Sequence, residues 1–342
     1  MRALVTGGAG FIGCNLTAAL VRGGHEVTVV DNLSRPGSLR NLQVLLEDPV
    51  AAQKVSFHPV DVRDADGLAA VVADHRPDAV AHLAGQVAVT DSVTHPLVDF
   101  DINARGTLHV LEAVRRHAPE ARVLFTSTNK VYGGLKQHRT ERTPTRYVLP
   151  DHPDGVSESF PTLAATPYGC SKLTADLYVQ DYAATYSMAT TVFRMSCIYG
   201  KWQNGTVDQG WVSWLVKSAL LGNPITIYGD GLQVRDLLHV DDLIAAVLSV
   251  LEDGRGAGEV FNIGGGVDYS LSIWAEFGAL LAELAAGEPP VTYEPWRTGD
   301  QHVYISDIAK AREQLGWRPR RAPRDGIAEM TEWLRIEQKR SR

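Results

Sequence analysis

Short apolar runs rich in β-branched residues recur along the first half of the chain. Between them lie stretches whose apolar positions fall three or four apart. The runs occupy residues 3–5, 27–30, 55–57, 79–81 and 123–125, with another at 190–193. The helical patterns lie near residues 11–23, 65–76, 101–117 and 168–187. Strand alternating with helix predicts βαβ units wound into a parallel sheet. The runs are apolar throughout rather than alternating, as a sheet covered on both faces requires. The expected fold class is therefore α/β, a Rossmann-type doubly wound parallel sheet.

The pattern loosens after residue 134. Residues 134–166 are rich in Thr, Pro, His, Asp and Arg and have no period, which points to a functional insertion. Further on, the sequence predicts a strand at 225–228, a turn at 229–231, a helix at 241–251, a strand at 259–263 and a helix at 271–285. The expected organisation is a sheet domain from residues 1–194 plus about 236–263, and a smaller interleaved domain from 195–235 and 264–342.

Composition narrows the function classes. The 33 Lys and Arg against 40 Asp and Glu leave a net charge of −7, which argues against general nucleic-acid binding. The late basic residues, from Lys310 to Arg342, read as a solvated helical face and tail. No apolar run approaches the roughly 20 residues that span a bilayer, and no membrane partner is expected. The N-terminus starts a strand at once, without a signal-like region. Cys14, Cys170 and Cys197 are odd in number and widely spaced, so no disulfide framework is expected. These features point to the cytoplasm. No metal-ligand spacing occurs among the histidines and cysteines, and no metal is expected.

Gly7, Gly8, Gly10 and Gly13 sit between the first strand and the first helix, with Phe11 and Ile12 in the opening turn. Glycines there allow a pyrophosphate to approach the backbone and the free helix N-terminus. Asp31, followed by Asn32, ends the second strand, where a carboxylate accepts bonds from the adenosine ribose hydroxyls. A carboxylate at that place repels a 2′-phosphate, which favours NAD over NADP, although Arg35 is an arginine of the kind that serves NADP. Asp61 and Val62 follow the third strand and suit the adenine. Leu83, Ala84 and Gly85 follow the fourth, at the carboxyl edge where such sheets bind ligands.

Tyr168 and Lys172 are four apart at the start of a long helical pattern, which puts both on one face. A phenol ordinarily has a pKa near 10. A neighbouring ammonium favours its ionised form and fits it to take a proton from an alcohol. Thr128, at the end of the fifth strand, offers a hydroxyl to hold the same oxygen.

With these residues the chain resembles the extended short-chain dehydrogenases/reductases, the nucleotide-sugar epimerases and dehydratases. The resemblance covers nearly the whole length. The stretches His82–Ala88, Ser127–Gly133, Thr166–Lys172, Asp208–Val212, Gln233–Asp236 and Trp296–Gln301 are most similar to family members that invert C2 of CDP-linked sugars. The resemblance implies NAD as cofactor and a nucleotide sugar as substrate. It implies Tyr168 as the acid/base, Lys172 as the group that lowers its pKa and binds the nicotinamide ribose, and Thr128 as the group that orients the sugar hydroxyl. Arg235 and Arg297 would meet the pyrophosphate and ribose of the substrate. Asn129, Lys130, Gln209, Gln86 and Val87 would line the sugar or nicotinamide. It also implies a homodimer or homotetramer paired through the helices at 101–117 and 168–187.

Related 4,6-dehydratases carry an Asp-Glu pair where this chain has Asn129 and Lys130, and decarboxylases carry an acid at the second position. Elimination chemistry is therefore disfavoured. A UDP-sugar 4-epimerase remains the alternative, and an NAD-sensing regulator on the same fold is a remoter one. Met195 and the Gly200–Gln203 stretch depart from the C2-epimerase pattern.

Overall fold

The computed structural model describes residues 1–285, 289–297 and 299–340. Thr298 of the quoted Trp296–Gln301 stretch and Arg342 of the basic tail lie outside these residues. The strands in chain order are β1 (Arg2–Thr6), β2 (Glu26–Val30), β3 (Val55–His58), β4 (Ala79–His82), β5 (Arg122–Thr128), β6 (Glu141–Arg142), β7 (Tyr147–Val148), β8 (Thr190–Met195), β9 (Cys197–Tyr199), β10 (Ile225–Tyr228), β11 (Val234–His239), β12 (Val260–Ile263), β13 (Ser270–Ser272), β14 (Val291–Glu294) and β15 (Val303–Tyr304). The helices are α1 (Phe11–Arg22), α2 (Ser38–Leu46), α3 (Pro49–Lys54), α4 (Ala65–His75), α5 (Val89–Thr94), α6 (Pro96–Phe100), α7 (Gly106–His117), α8 (Pro167–Tyr186), α9 (Trp211–Leu221), α10 (Val240–Leu251), α11 (Phe277–Ala285) and α12 (Pro323–Arg340). A π-helical turn, Asp101–Arg105, joins α6 to α7.

Seven parallel strands form the main sheet in the order β12-β8-β5-β4-β1-β2-β3. The order reverses beside β1, which places the ligand crevice at the carboxyl ends of β1 and β4. Both faces are covered. Leu16 and Leu20 of α1 pack with Val247 and Val250 of α10 on one side. Val71 of α4, Leu111 and Val114 of α7 and Val179 of α8 pack on the other. Each such side chain contributes about 1.5–3 kcal/mol by leaving water.

The second half builds smaller sheets. β11 pairs with β9, β13 and β15, and β10 pairs with β14. β11 runs across residue 236 in these smaller sheets, and the chain returns to the main sheet through α10, which packs with α1, and β12. Residues 270–272 form β13 rather than the start of a helix. They pair antiparallel with β11, and α11 starts only at Phe277. The Ser272 hydroxyl accepts from Glu276 N, a bond that favours a turn over a continuing helix. The long insertion is ordered. Its Leu135, Leu149 and Val156, with Val131 and Tyr132 from the turn after β5, pack against Val234, Val303 and Tyr304, so it staples the two parts together. Among the described residues, no helix is long and apolar enough to cross a membrane.

Candidate active site

The turn after β1 is built on glycine. Gly7 has φ +67°, and a Cβ there would stand 2.8 Å from Ala84 N. Gly10 caps α1 with no side chain over the first-turn amides. Those amides face a cleft of about 650 Å³ lined by the expected cofactor set from Gly7 to Gly85, and by Gln86, Val87 and Gln209. The bare turn, the free helix N-terminus and a carboxylate at the end of β2 fit a dinucleotide pyrophosphate and ribose.

Asp31 is already partly engaged. Its oxygens accept from Ala9 N at 3.1 Å and Leu33 N at 2.8 Å. Burial raises its carboxyl pKa, and the two amides pull it back. Asn32 donates to Asp61 at 2.7 Å. Arg63 bonds Asp61 as well and holds its carboxyl well below the usual carboxylate range. Arg35 stands in the cleft wall and donates to Gln209 Oε1 at 2.6 Å. Val62 packs against Gly106. His82, at the end of β4, bridges Thr6 at 2.6 Å and Thr107 at 2.9 Å, and burial drives its imidazole down to about 3.

α8 brings the tyrosine and lysine behind the cleft wall at Gly85. Thr166 caps it by accepting from Gly169 N, and Pro167 occupies its first turn, a favoured start. Deeper in the helix, Asp176 is gripped by Arg194 of β8 at 2.9 and 3.2 Å and by Ser127 of β5 at 2.7 Å. This buried pair fixes α8 under the end of β5. Tyr168 and Lys172 are 9% and 6% exposed, and neither lines the open cleft. Lys172 Nζ lies 3.9 Å from the point where a Gly85 Cβ would be, and 4.1 Å from the Phe125 ring centre.

Burial pushes the Tyr168 phenol up to about 12, and the Thr128 hydroxyl bonded to it pulls the other way. The Lys172 ammonium is driven down to about 7 by burial, with Asp176 and Asp99 as the charges that hold it up.

A second cavity, about 250 Å³, is lined by Asn129, Lys130, Gln209, Arg235 and Arg297, together with Cys197, Trp211 and Tyr228. It shares Asp208 and Gln209 with the first. Its positive charges are already held in place. Arg235 is buried and donates to Asp300 at 2.6 Å and to Gln301 O at 2.8 Å. Arg297 lies over the Tyr228 ring at 3.8 Å and donates to Val207 O at 3.1 Å. Lys130 donates to Gln301 at 3.2 Å; burial and the nearby Arg235 bring its ammonium to about 8.

Sequence reasoning missed the groups that join these sites. Residues 200–210 cross between the cavities. Asn15 holds Lys201 O, Asn41 holds Trp202 O, Thr90 holds Asp208 and Arg35 holds Gln209. Trp202 takes φ +66°, a strained choice for a bulky residue. Asn103, in the π-helical turn, clamps both backbone groups of Gln86 at 2.9 and 3.1 Å. Elsewhere, His239, Asp241 and Glu329 converge within 4.8 Å, but Arg321 ion-pairs with both carboxylates.

A parallel sheet, a glycine turn and a buried tyrosine–lysine helix define a dinucleotide-dependent oxidoreductase-type centre. The chain belongs to the NAD dependent epimerase/dehydratase family, whose model matches residues 3–264. It is 40% identical to CDP-paratose 2-epimerase of Salmonella typhi, over 97% of this chain and 99% of that protein. Among solved structures it is similar to UDP-glucose 4-epimerase of Thermotoga maritima with UDP-glucose, at 31% identity and a TM-score of 0.85 over 99% and 100% of the two chains. It is also similar to dTDP-glucose 4,6-dehydratase of Streptomyces venezuelae with NAD bound, at 30% identity and a TM-score of 0.83 over 99% and 98%. The chain is thus an NAD-dependent enzyme of nucleotide-sugar chemistry.

Proposed function

We propose that the protein is an NAD-dependent epimerase that inverts C2 of a CDP-linked sugar. The observation that carries this reading is Asn129-Lys130 directly after Thr128, in a chain 40% identical over its length to a CDP-paratose 2-epimerase. The dehydratases that this chain resembles use a carboxylate pair at that place to eliminate water, and this chain has no carboxylate at either position. The UDP-glucose-bound neighbour keeps a UDP-sugar 4-epimerase as the second reading.

NAD fits the glycine cleft, with Gly7, Gly10, Phe11, Ile12 and Gly13 at the pyrophosphate, Asp31 and Asn32 at the adenosine ribose, Asp61 and Val62 at the adenine, and Leu83, Ala84 and Gly85 leading to the nicotinamide. When bound, it supplies an acceptor and then a donor of hydride at the sugar carbon. Tyr168 takes the proton of the sugar hydroxyl and returns it after the sugar has turned. Thr128 holds that oxygen. Lys172 binds the nicotinamide ribose and keeps positive charge beside the developing phenolate. Lys130, Arg235 and Arg297 surround the diphosphate with positive charge, an arrangement suited to anchoring one end of the substrate while the other turns. Gln86, Val87, Asn129 and Gln209 face the sugar. The smaller, interleaved part formed by 195–235 and 264–342 is the substrate-binding domain in this reading.

Proton NMR of the purified protein with CDP-paratose, and separately with UDP-glucose, without added NAD, tests this. Conversion of CDP-paratose to its C2 epimer is expected. Conversion of UDP-glucose alone would replace the reading with the 4-epimerase.

The same reading makes the enzyme a cytoplasmic homo-oligomer. Leu97, Phe100, Leu177, Tyr178 and Tyr186 are exposed on α6 and α8, an apolar patch of the kind that pairs with a copy of itself. Gel filtration is expected to give a dimer or tetramer, and Leu97→Asp with Leu177→Asp to shift it toward one chain.

A further inference from the structure

Beside Lys172 lies a carboxylate that none of the assigned roles uses. Asp99, on α6, is 1% exposed. It accepts from the Ser171 hydroxyl, next in sequence to Lys172, and from Asn103 Nδ2 at 3.1 Å. The oxygen of that Asn103 amide stands 3.0 Å from the place of a Gly85 Cβ, where Lys172 Nζ is 3.9 Å away. Asn103 and the ammonium thus flank Gly85, with Asp99 tied behind Asn103.

Among the described residues, no cation hydrogen-bonds Asp99, and no acceptor hydrogen-bonds Lys172. A buried carboxylate without a cation is costly. The other carboxylate near Lys172 is Asp176, and Arg194 already neutralises it by a two-point ion pair. The groups facing Lys172 are therefore Tyr168 and Asp176 on its own helix, Asp99 on α6, the neutral His82 on β4, the Phe125 ring on β5 and Arg194 on β8 through Asp176. Asp91 on α5 acts on Asp99 from further out.

We propose that Asp99 is the counter-ion of Lys172, a positioning residue that keeps the lysine an ammonium and holds it toward Gly85. This rests on the role given to Lys172 above. Burial drives that ammonium down, Asp176 and Asp99 hold it up at about 7, and loss of Asp99 takes it lower still. Asp99 also raises the Tyr168 phenol. Its removal lowers both groups, because a negative charge favours the protonated form of each.

The test titrates the ε-carbon of Lys172 by NMR in the NAD-loaded protein, with Lys172→Met to assign the signal. Asp99→Asn removes the charge and keeps one acceptor oxygen for either Asn103 or Ser171, and Ser171→Ala controls for the bond to Ser171. Its Lys172 midpoint is expected to fall by about one pH unit, while Ser171→Ala leaves the midpoint in place. Both limbs of the pH–rate profile should move to lower pH in Asp99→Asn. An unchanged midpoint overturns the proposal, and so does an equal shift in Ser171→Ala. If Asp99→Asn does not fold, Lys172→Met gives the reciprocal reading: the Asp99 carboxyl must titrate at higher pH once its cation is gone. Turnover by Tyr168→Phe, measured beside these, would sink the catalytic reading and leave the titration result standing.

Discussion

Tyr168→Phe is expected to reduce turnover by about 10²–10⁴-fold while the purified protein keeps its NAD. The substitution removes one oxygen. Its hydrogen-bond partner is the Thr128 hydroxyl, so stability should fall by only about 1 kcal/mol. The cofactor cleft is lined by other residues. Turnover and NAD content, read on the same sample, therefore separate the two roles. A variant that still turned over would remove Tyr168 from the acid/base role. A variant that lost NAD would make it a cofactor ligand first. The buried phenol sits up to about 12 in the protein alone, so it holds its proton at neutral pH until positive charge arrives beside it. Thr128→Val should then cost less than Tyr168→Phe, because it removes the group that orients the oxygen and leaves the proton carrier.

How much of this was legible in the sequence follows from the range of each interaction. The apolar runs carried the parallel sheet, since a strand covered on both faces needs that composition whatever its partners. The glycine turn and the Tyr168–Lys172 pair are local signatures, readable from spacing. What joins them is not local. Asn103 reaches Gln86 from a π-helical, underwound turn, and no residue spacing announces that. Asp99 looks like any helix-surface acid in sequence and becomes a buried charge near Lys172 only when α6 packs on α8. The Arg235 motif points to a diphosphate, and only the fold shows that its guanidinium is also held by Asp300. Residues 134–166 have no period because their burial comes from packing against β11 and β15, far along the chain. The Arg35–Gln209 bond likewise links positions whose meaning appears only once residues 200–210 lie across the cleft.

Gly13→Ala is the structural counterpart of the first prediction, and its effect should fall on the cofactor. The added Cβ would lie 2.2 Å from Gly7 O and 2.6 Å from Gly8 Cα. Both are backbone atoms, and the turn that carries them is held on every side. Gly7 N donates to Val30 O at 2.8 Å, Gly10 N donates to Gly7 O at 3.0 Å, and Gly7 abuts Ala84. The helix must therefore yield, and it carries the first-turn amides that meet a pyrophosphate. NAD affinity is expected to fall at least about 10²-fold, or about 2.8 kcal/mol. The variant should purify nearly free of NAD and melt earlier, because bound ligand stabilises the folded state by mass action. Gly134→Ala is the matching control: the added Cβ meets only the Lys136 side chain, at 3.5 Å or beyond. Absorbance and mass of the nucleotide released on denaturation read both variants. Full NAD in Gly13→Ala would move the pyrophosphate away from this turn. Loss of NAD in both would mean that the content reports general damage rather than the glycine contact.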